Sequence, residues 1–378
     1  MAQSSINGRV VPLSAAIAEA ARLVGNSRLT VVAGLGADIA GTRAAVGLAD
    51  RIGGVVDHMH STPLLRDLDV MREYGIMLTT PGEARRRGDV VLLVGDFLAE
   101  AGLPDIWPDL RTHVLAPPAA TEARRRIIWL CTDAAARDGP QYLGRGPGVE
   151  VERIVAEREA LPAFVGALRA RISDKHVTLS ASRSRELDAI AAALRSATFG
   201  IAVWSAACLD SLTIEMLCGL VKDLNAKTRF TGLPLAPGDN AIGVLQTCGW
   251  MTGFPVRTGF ARGFPEHDPW LFNADRLVES GEADCALWIS AYSAAAPPWR
   301  KAIPLIALVS ADARFQREPA VRINVGRPGV DHDSVDYCAR MATLTPASAA
   351  RKSDAPTVAQ VIGKLDAALG GEGEAASC

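Results

Sequence analysis

The sequence has 378 residues, a formal net charge of −2 and a hydrophobic fraction of 49%. This length predicts two or three domains of α/β size, and the near-neutral charge excludes a strongly basic surface for nucleic acid or anionic membranes. No segment offers the roughly 20 apolar residues of a membrane-spanning helix, and the N-terminus lacks signal-peptide features. We expect a cytoplasmic protein that binds neither nucleic acid nor membrane, and the high hydrophobic fraction indicates large subunit contacts.

Strand and helix patterns alternate along the chain. Helical patterns cover residues 13–24, 40–54, 81–88, 152–172, 184–196 and 215–225, and strand patterns cover 29–36, 55–57, 89–96, 125–133, 198–206 and 228–235. Residues 234–269 predict long ordered loops, and residues 274–325 return to the α/β rhythm. The strands read as continuous apolar runs, which is typical of parallel sheets covered by helices on both faces. The fold class is therefore α/β.

The strand pattern at residues 29–36 ends in a Gly-x-Gly turn formed by Gly34, Leu35 and Gly36. Such a turn can aim backbone amides at a phosphate, but Ile39 stands where the dinucleotide fingerprint requires a third glycine. The sequence favours an ordinary strand-to-helix turn. The arginine runs at residues 85–87 and 124–126 are typical of solvated faces, with anion contacts as the alternative.

His58 and His60 form a His-x-His pair after the strand at residues 55–57. Open α/β sheets place ligand crevices at such strand ends, so the pair suggests either metal ligands or a crevice-lining loop. The other four histidines show no ligand-like grouping. The seven cysteines include no Cys-x-x-Cys, and Gly-x-Ser-x-Gly is absent. The residues alone therefore favour the crevice-lining loop and predict no metal site.

Five stretches, taken in order, resemble the molybdopterin oxidoreductase superfamily, and in particular the B subunit of formylmethanofuran dehydrogenase. They are residues 40–58, 80–106, 233–269 (with "PGDNAIG" and "GWMTGFP"), 274–292 and 326–344. The resemblance implies two Rossmann-like lobes with mainly parallel sheets, as in the central domains of that superfamily. It places residues 1–57 with 262–369 in one discontinuous lobe, 58–261 in a second, and 370–378 in a disordered tail. Residues 58–63 and 238–243 would face each other across the cleft.

The sequence departs from the dehydrogenase pattern at the residues that bind the iron–sulfur cluster and the tungsten or molybdenum. No cysteine precedes Cys131, so the cysteines of the N-terminal iron–sulfur cluster are missing, and "HMHSTPLLRD" holds no cysteine where the dehydrogenases carry a metal ligand. Ser61 is the alternative oxygen ligand. The pterin loop keeps Gly238, Asn240 and Gly243, but Pro237 replaces a typical arginine. We expect a degenerate cleft formed by His58, His60, Ser61, Gly238, Asn240 and Gly243.

A dehydrogenase-like chain without these ligands resembles the B subunits of the formyltransferase/hydrolase complexes of methylotrophic bacteria. That resemblance implies a non-catalytic structural subunit in a complex that converts the formyl group of formyl-tetrahydromethanopterin, via a methanofuran-type carrier, to formate. The implied partners are an amidohydrolase-like subunit that holds the metal, a formyltransferase subunit and a further subunit. No catalytic residue, metal or cofactor is expected on this chain itself.

Three arginines are candidate contacts for an acidic carrier tail, because guanidinium groups pair well with carboxylates. They are Arg66, Arg257 and Arg262, and ordinary loop salt bridges are the alternative. For the whole chain, the second hypothesis is a pterin- or dinucleotide-binding oxidoreductase of the formylmethanofuran dehydrogenase type. A third is a stand-alone α/β binding protein.

Overall fold

The structure is a computed structural model that describes residues 3–96, 98, 101–107, 125–132 and 149–375. Its helices are α1 (Leu13–Gly25), α2 (Ile39–Ile52), α3 (Ser61–Tyr74), α4 (Pro81–Arg87), α5 (Leu103–Ile106), α6 (Leu161–Ile172), α7 (Ala181–Arg195), α8 (Ser211–Leu224), α9 (Ala241–Thr252), α10 (Ala274–Ser280) and α11 (Val358–Ala375). None of these described helices is long and apolar enough to cross a bilayer.

The strands of the first half are β1 (Ser4–Ile6), β2 (Arg9–Val11), β3 (Thr30–Gly36), β4 (Val55–Val56), β5 (Val90–Val94), β6 (Arg125–Cys131), β7 (Val149–Val155) and β8 (Gly200–Trp204). Those of the second half are β9 (Phe230–Pro234), β10 (Thr258–Gly259), β11 (Glu266–His267), β12 (Cys285–Ser290), β13 (Leu305–Val309), β14 (Val321–Asn324), β15 (Ser334–Cys338) and β16 (Thr343–Ala347). The last two form a separate two-stranded sheet.

The chain divides into two compact units. The first comprises the described residues of Met1–Ser61, Gly238–Tyr337 and Leu344–Cys378, and the second those of Thr62–Pro237 and Cys338–Thr343. The units therefore divide at residues 61/62 and 237/238 and not at the predicted 57/58 and 261/262. The physical reason is that α9 packs on α2, and β10 pairs with β4, so both elements join the first unit.

The first unit is built on a nine-stranded sheet of order β11-β10-β4-β3-β12-β13-β14-β1-β2. Its five central strands, β4 to β14 in this order, are parallel, and antiparallel strands extend both edges. Counted along the chain, the central order is 2-1-3-4-5, which is the flavodoxin-like arrangement. Helices α1, α2, α9 and α11 pack against one another, and α10 packs with alternate residues of β3 and β12 in a separate cluster.

The second unit contains an entirely parallel sheet of order β7-β6-β5-β8-β9. Counted along the chain this is 3-2-1-4-5, the order of a Rossmann-type sheet. Side chains of β5 point alternately to two cores: Val90, Leu92 and Val94 pack with α6, α7 and α8, whereas Val91 and Leu93 pack with α4 and α5. Both faces are covered, which explains the continuous apolar run. The predicted α/β class is confirmed.

Four sequence predictions require correction. Residues 152–172 do not form one helix, because β7 ends at Val155 and α6 begins only at Leu161. Residues 234–269 are not all loops, since they contain α9. Helix α11 continues to Ala375, so residues 370–375 of the predicted tail are helical, and residues 376–378 lie outside the described residues.

The second arginine run, the fourth of these predictions, is not a solvated face. Arg125 is 2% exposed and donates to the carbonyl oxygens of Gly88 at 2.8 Å and Arg85 at 2.9 Å. Its guanidinium lies 4.5 Å from the ring centroid of Trp107. Arg124 lies outside the described residues. At Arg125 the run therefore contributes packing and hydrogen bonds inside the second unit.

Candidate functional site

The candidate site lies at the carboxyl ends of β3, β4 and β12 in the first unit. In an open α/β sheet the ligand crevice forms where the strand order reverses, and here the reversal falls between β3 and β12. Polar side chains follow each of these strands directly: Asp38 after β3, Asp57 and His58 after β4, and Tyr292 after β12. Sequence patterns identified the β4 loop, but the other two loops were not recognised as parts of the same site.

His58 is fixed by hydrogen bonds at both ring nitrogens. Its Nδ1 accepts from the backbone N–H of His60 at 2.9 Å, so Nδ1 carries no proton. Its Nε2 lies 3.1 Å from the Asp239 carbonyl oxygen and donates to it. The backbone N–H of His58 donates to the Ser61 hydroxyl at 2.9 Å. Burial lowers the pKa of His58 to about 4, and the imidazole is therefore neutral at pH 7.

His60 and Asp239 form the second contact between these loops. His60 Nε2 lies 3.3 Å from Asp239 Oδ2. Burial acts to raise the pKa of the Asp239 carboxyl, but hydrogen bonds from His60 and the Ser293 hydroxyl outweigh it and lower the pKa below its ordinary value. Residues 58–61 and 238–243 thus make direct contact, and both segments belong to the first unit.

Asn240 organises the turn that precedes α9. It adopts a left-handed backbone conformation, with φ of 56°. Its side-chain amide donates to the Ala37 carbonyl oxygen at 2.8 Å and accepts from the Tyr337 N–H at 2.9 Å. A Cβ atom on Gly243 would lie 2.3 Å from Asn240 Oδ1. The kept Gly-x-Asn-x-x-Gly pattern therefore has a local structural cause: Asn240 ties three segments together, and Gly243 leaves room for it.

A half-buried tyrosine completes the site. The Tyr292 hydroxyl donates to the Asp336 carboxylate, which also accepts from the Ser334 hydroxyl at 2.5 Å. Burial, followed by the nearby carboxylates of Asp336, Asp38 and Asp239, raises the pKa of Tyr292 far above its ordinary value. The phenol stays protonated and acts as a hydrogen-bond donor. Tyr292 belongs to no recognised sequence motif; the only signal was a polar residue just past the end of a predicted strand.

Ser61 does not lie in a loop, because α3 begins there. Next to it, Asp57 accepts from the Ala274 N–H at 2.9 Å and lies 3.5 Å from Arg257 Nε. Both side chains of this ion pair are at most 10% exposed. Burial raises the pKa of Asp57 to about 6, although Arg257 opposes that shift.

The three candidate carrier arginines have different surroundings. Arg66, in the second unit, donates from Nη1 to the carbonyl oxygens of Ala206 and Leu209. Arg257, in the first unit, donates to the Pro269 carbonyl oxygen at 2.9 Å. Arg262, whose side chain is 69% exposed, pairs with Glu266 at 2.9 Å. None of these contacts involves His58. Binding of a carrier by the three arginines stays a prediction.

The donor set does not fit the metal of a molybdopterin enzyme, which needs a thiolate or a free oxygen ligand beside the pterin loop. The described cysteines of the first unit, Cys248 and Cys285, are buried, and burial raises their pKa to about 12 and about 11. Neither is a thiolate at pH 7. The Ser61 hydroxyl accepts from His58. Among the described residues, no three His, Cys, Asp or Glu side chains group as metal ligands.

Fold and site together define a two-unit α/β protein in which hydrogen bonds join the segments at the strand reversal of the first unit. Comparison with known proteins identifies the family. The sequence is 32% identical over 327 residues, 86% of this chain and 85% of the relative, to the B subunit of the formyltransferase/hydrolase complex Fhc from Methylorubrum extorquens. The chain belongs to the family of this B subunit, and the predicted resemblance is confirmed. No family model matches the sequence.

Two further comparisons agree. A chain in the crystal structure of the complex FhcABCD from Methylorubrum extorquens with methylofuran superposes with a TM-score of 0.84 at 30% identity, covering 98% of this chain and 99% of that one. The B subunit of the tungsten-containing formylmethanofuran dehydrogenase 2 from Methanocaldococcus jannaschii is 26% identical over 304 residues, 74% of this chain and 64% of the relative.

Replacing His58 by glutamine is expected to remove an acid sensitivity of the fold. The unfolded imidazole binds a proton near pH 6.5, whereas the folded one does so only near pH 4. Between these values the unfolded state binds more protons, so the free energy of unfolding falls as pH drops, by up to about 1.4 kcal/mol per pH unit. His58→Gln keeps one donor and one acceptor but does not titrate.

Urea unfolding from pH 4.5 to 7 measures the difference in unfolding free energy between wild type and His58→Gln. The contributions of other titrating groups are the same in both proteins and cancel in this difference. The matched control is His176→Gln at an exposed position, which should follow the wild-type curve. If the unfolding free energy depends on pH in the same way in wild type and His58→Gln, the claim that His58 is a buried neutral imidazole is wrong.

Gly243→Ala is expected to destabilise the first unit by about 1–3 kcal/mol, because the new methyl group displaces an Asn240 side chain held by two hydrogen bonds. Gly249→Ala is the control in the same helix, where a Cβ meets nothing within 4 Å. There alanine should stabilise by up to about 1 kcal/mol. Guanidinium unfolding of the two variants provides the comparison. Equal changes in unfolding free energy would show that Gly243 is not needed to leave room for the Asn240 side chain.

Proposed function

We propose that this chain is a structural, non-catalytic subunit of a hetero-oligomeric formyltransferase/hydrolase complex. The complex converts the formyl group of formyl-tetrahydromethanopterin, via a methanofuran-type carrier, to formate in cytoplasmic one-carbon metabolism. The partners are an amidohydrolase-like subunit that holds the metal, a formyltransferase subunit and a further subunit. The membership of the chain in the family of the Fhc B subunit supports the assembly.

The observation that carries the non-catalytic role is the state of the β4 loop. Both ring nitrogens of His58 and the Ser61 hydroxyl form hydrogen bonds within residues 58–61 or with the Asp239 carbonyl oxygen. These hydrogen bonds stabilise the backbone conformation of residues 58–61 and hold the His58 imidazole and the Ser61 hydroxyl against the protein itself, which does not favour a role for either as base or nucleophile. The chain would therefore retain the sheet and loops of a dehydrogenase-like subunit as a wall and a support for the catalytic partners.

A role as a pterin-dependent oxidoreductase is less well supported, since the donor set around the crevice does not fit its metal. That alternative predicts tungsten or molybdenum, or an extractable pterin or nucleotide, in the purified protein. Elemental analysis and mass spectrometry after denaturation distinguish the two functions, because the structural role predicts none of these on this chain.

Reconstitution tests the structural role. The four subunits are produced separately, and assembly and formate release are measured with and without this chain. A supporting subunit predicts that its omission lowers both the yield of the assembled complex and the rate of formate release. Full assembly and full rate without the chain would overturn the proposal.

A further inference from the structure

The surface of the first unit carries a concentration of exposed apolar side chains. Six of the fifteen large apolar residues exposed in the described chain fall between residues 250 and 271. We call them the aromatic patch: Trp250 (65% exposed), Met251 (45%), Phe254 (38%), Phe264 (48%), Trp270 (69%) and Leu271 (42%). Tryptophan, phenylalanine and methionine are the residue types enriched at the centre of protein interfaces.

Contacts connect the segments that carry these residues. The Phe254 ring stacks on His267 with centroids 6.2 Å apart, and His267 Nδ1 lies 3.0 Å from the Arg257 carbonyl oxygen. Arg257 in turn donates to the Pro269 carbonyl oxygen at 2.9 Å, directly before Trp270. These contacts hold together the segment that follows α9, the β10–β11 hairpin and the following turn.

The most exposed ring is held in place although it faces solvent. The guanidinium of Arg276 lies 4.4 Å from the Trp270 centroid. It also donates to the carbonyl oxygens of Trp270 at 3.1 Å and Leu271 at 2.7 Å. A pre-positioned tryptophan loses little conformational entropy on binding, which is the property of an interface hot spot.

The size of the aromatic patch also matches an interface. With about 150–250 Å² for each aromatic side chain, the exposed fractions leave roughly 600 Å² of apolar surface. That lies at the upper end for the largest patch of a monomer and near the ~800 Å² that each partner buries in a stable complex. Between Phe264 and Trp270 the chain forms β11, the edge strand of the sheet, and proteins often cover such edges.

We propose that the aromatic patch docks a different subunit of the same complex, one that presents an apolar face to Trp250 and Trp270. This inference rests on the proposed function. A heteromeric occupant is favoured over a second copy, because the matched solved chain comes from a complex of four different subunits and is covered over 99% of its length. The roughly 600 Å² of the patch is most of the ~800 Å² that one partner contributes to an interface of standard size.

The test uses Trp250→Ser, Trp270→Ser and the double variant, each co-produced with the other three subunits. We expect each single change to weaken the affinity for one of these subunits at least tenfold, and the double change at least a hundredfold. Leu212→Ser replaces an exposed apolar side chain of α8 (53%) outside the patch; it is the control and should assemble as wild type does. Among the residues that the structure describes, no arginine lies over the Trp250 ring as Arg276 does over Trp270, so Trp250→Ser keeps the test valid if Trp270→Ser unfolds.

Native mass spectrometry and titration of the immobilised chain with each of the other subunits give the readout. Wild-type affinity in both single variants, with circular dichroism unchanged, would overturn the proposed docking surface and leave the proposed function standing. A patch that mediates only self-association of this chain, with the affinity for the other subunits unaffected, would overturn it as well. Failure of the wild-type chain itself to bind any of them would instead refute the proposed function and the docking surface together.

Discussion

An Arg257→Leu variant is expected to lose about 3–5 kcal/mol of unfolding free energy at pH 8, because it leaves a buried carboxylate without its cation. Asp57 and Arg257 are 7% and 10% exposed, with Asp57 Oδ1 3.5 Å from Arg257 Nε. The carboxylate also accepts from the Ala274 N–H at 2.9 Å, but that donor is neutral and cannot balance its charge. Loss of the guanidinium also removes the hydrogen bond to Pro269.

The pH dependence identifies the cause of this loss. Burial already raises the pKa of Asp57 to about 6, above its unfolded value near 4. The folded state therefore binds more protons in this window, and its stability falls as pH rises from about 4 to about 6. Without Arg257 the pKa of Asp57 rises further, so the fall continues above pH 6. The variant should be closest to wild type near pH 5.

Urea unfolding of wild type and Arg257→Leu at pH 5 and pH 8 measures this change. Arg262→Leu removes an exposed arginine from the same region and should cost less than about 1 kcal/mol at both pH values. Asp57→Asn combined with Arg257→Leu should recover part of the loss, since no charge stays buried. A loss equal at both pH values and unrelieved in the double variant would show that the ion pair is not its source.

The second large effect is expected at Gly34, the first glycine of the Gly-x-Gly turn. The pairing of β3 with β12 shifts between Ala33–Trp288 and Gly36–Ser290, so that Gly34 and Leu35 together oppose Ile289 in a bulge. Gly34 has φ of +73°, and a Cβ there would lie 2.6 Å from the Ile289 carbonyl oxygen and 2.9 Å from the Trp288 ring. Gly34→Ala should cost about 3–4 kcal/mol through strain and overpacking.

Gly36→Ala provides the matched control. Its Cβ would meet Met59 Cε at 3.3 Å, the end of a flexible side chain, so the loss should stay below about 1 kcal/mol. Thermal unfolding of the two variants distinguishes a glycine required by strand packing from a pair kept to approach a phosphate. Equal, small losses would contradict the packing explanation.

The fold class was predictable because the central strands are buried on both faces. A short continuous apolar run such as "VVLLV", rich in valine and placed between helical patterns, is typical of a strand buried on both faces. Sequence patterns predicted the wrong secondary structure where a helical and a strand pattern overlap. Strand β7, "VEVERIV", alternates as an edge strand does but also satisfies helical spacing, and pairing with β6 decides the outcome. Helix α9 contains two glycines that lower its propensity, and packing on α2 compensates for them.

The site was only partly predictable. His58, His60 and Asn240 were identified, but patterns could not reveal that Asp239 and Tyr292 join them, because those contacts depend on which loops the sheet brings to one edge. Arg257 shows the same limit: an arginine in a loop suggests an anion contact, but the sequence could not show that Arg257 lies buried beside Asp57. Contacts over about 200 positions of sequence require the topology.

Our central proposal is that the loops at the strand reversal support the fold and perform no chemistry. The most direct measurement is the turnover number for formate release by the four-subunit complex that contains the His58→Gln, His60→Gln double variant. We predict a kcat within about twofold of wild type once assembly is complete, because no transition-state interaction is lost. A fully assembled complex whose kcat falls tenfold or more, about 1.4 kcal/mol of transition-state stabilisation, would contradict the proposal.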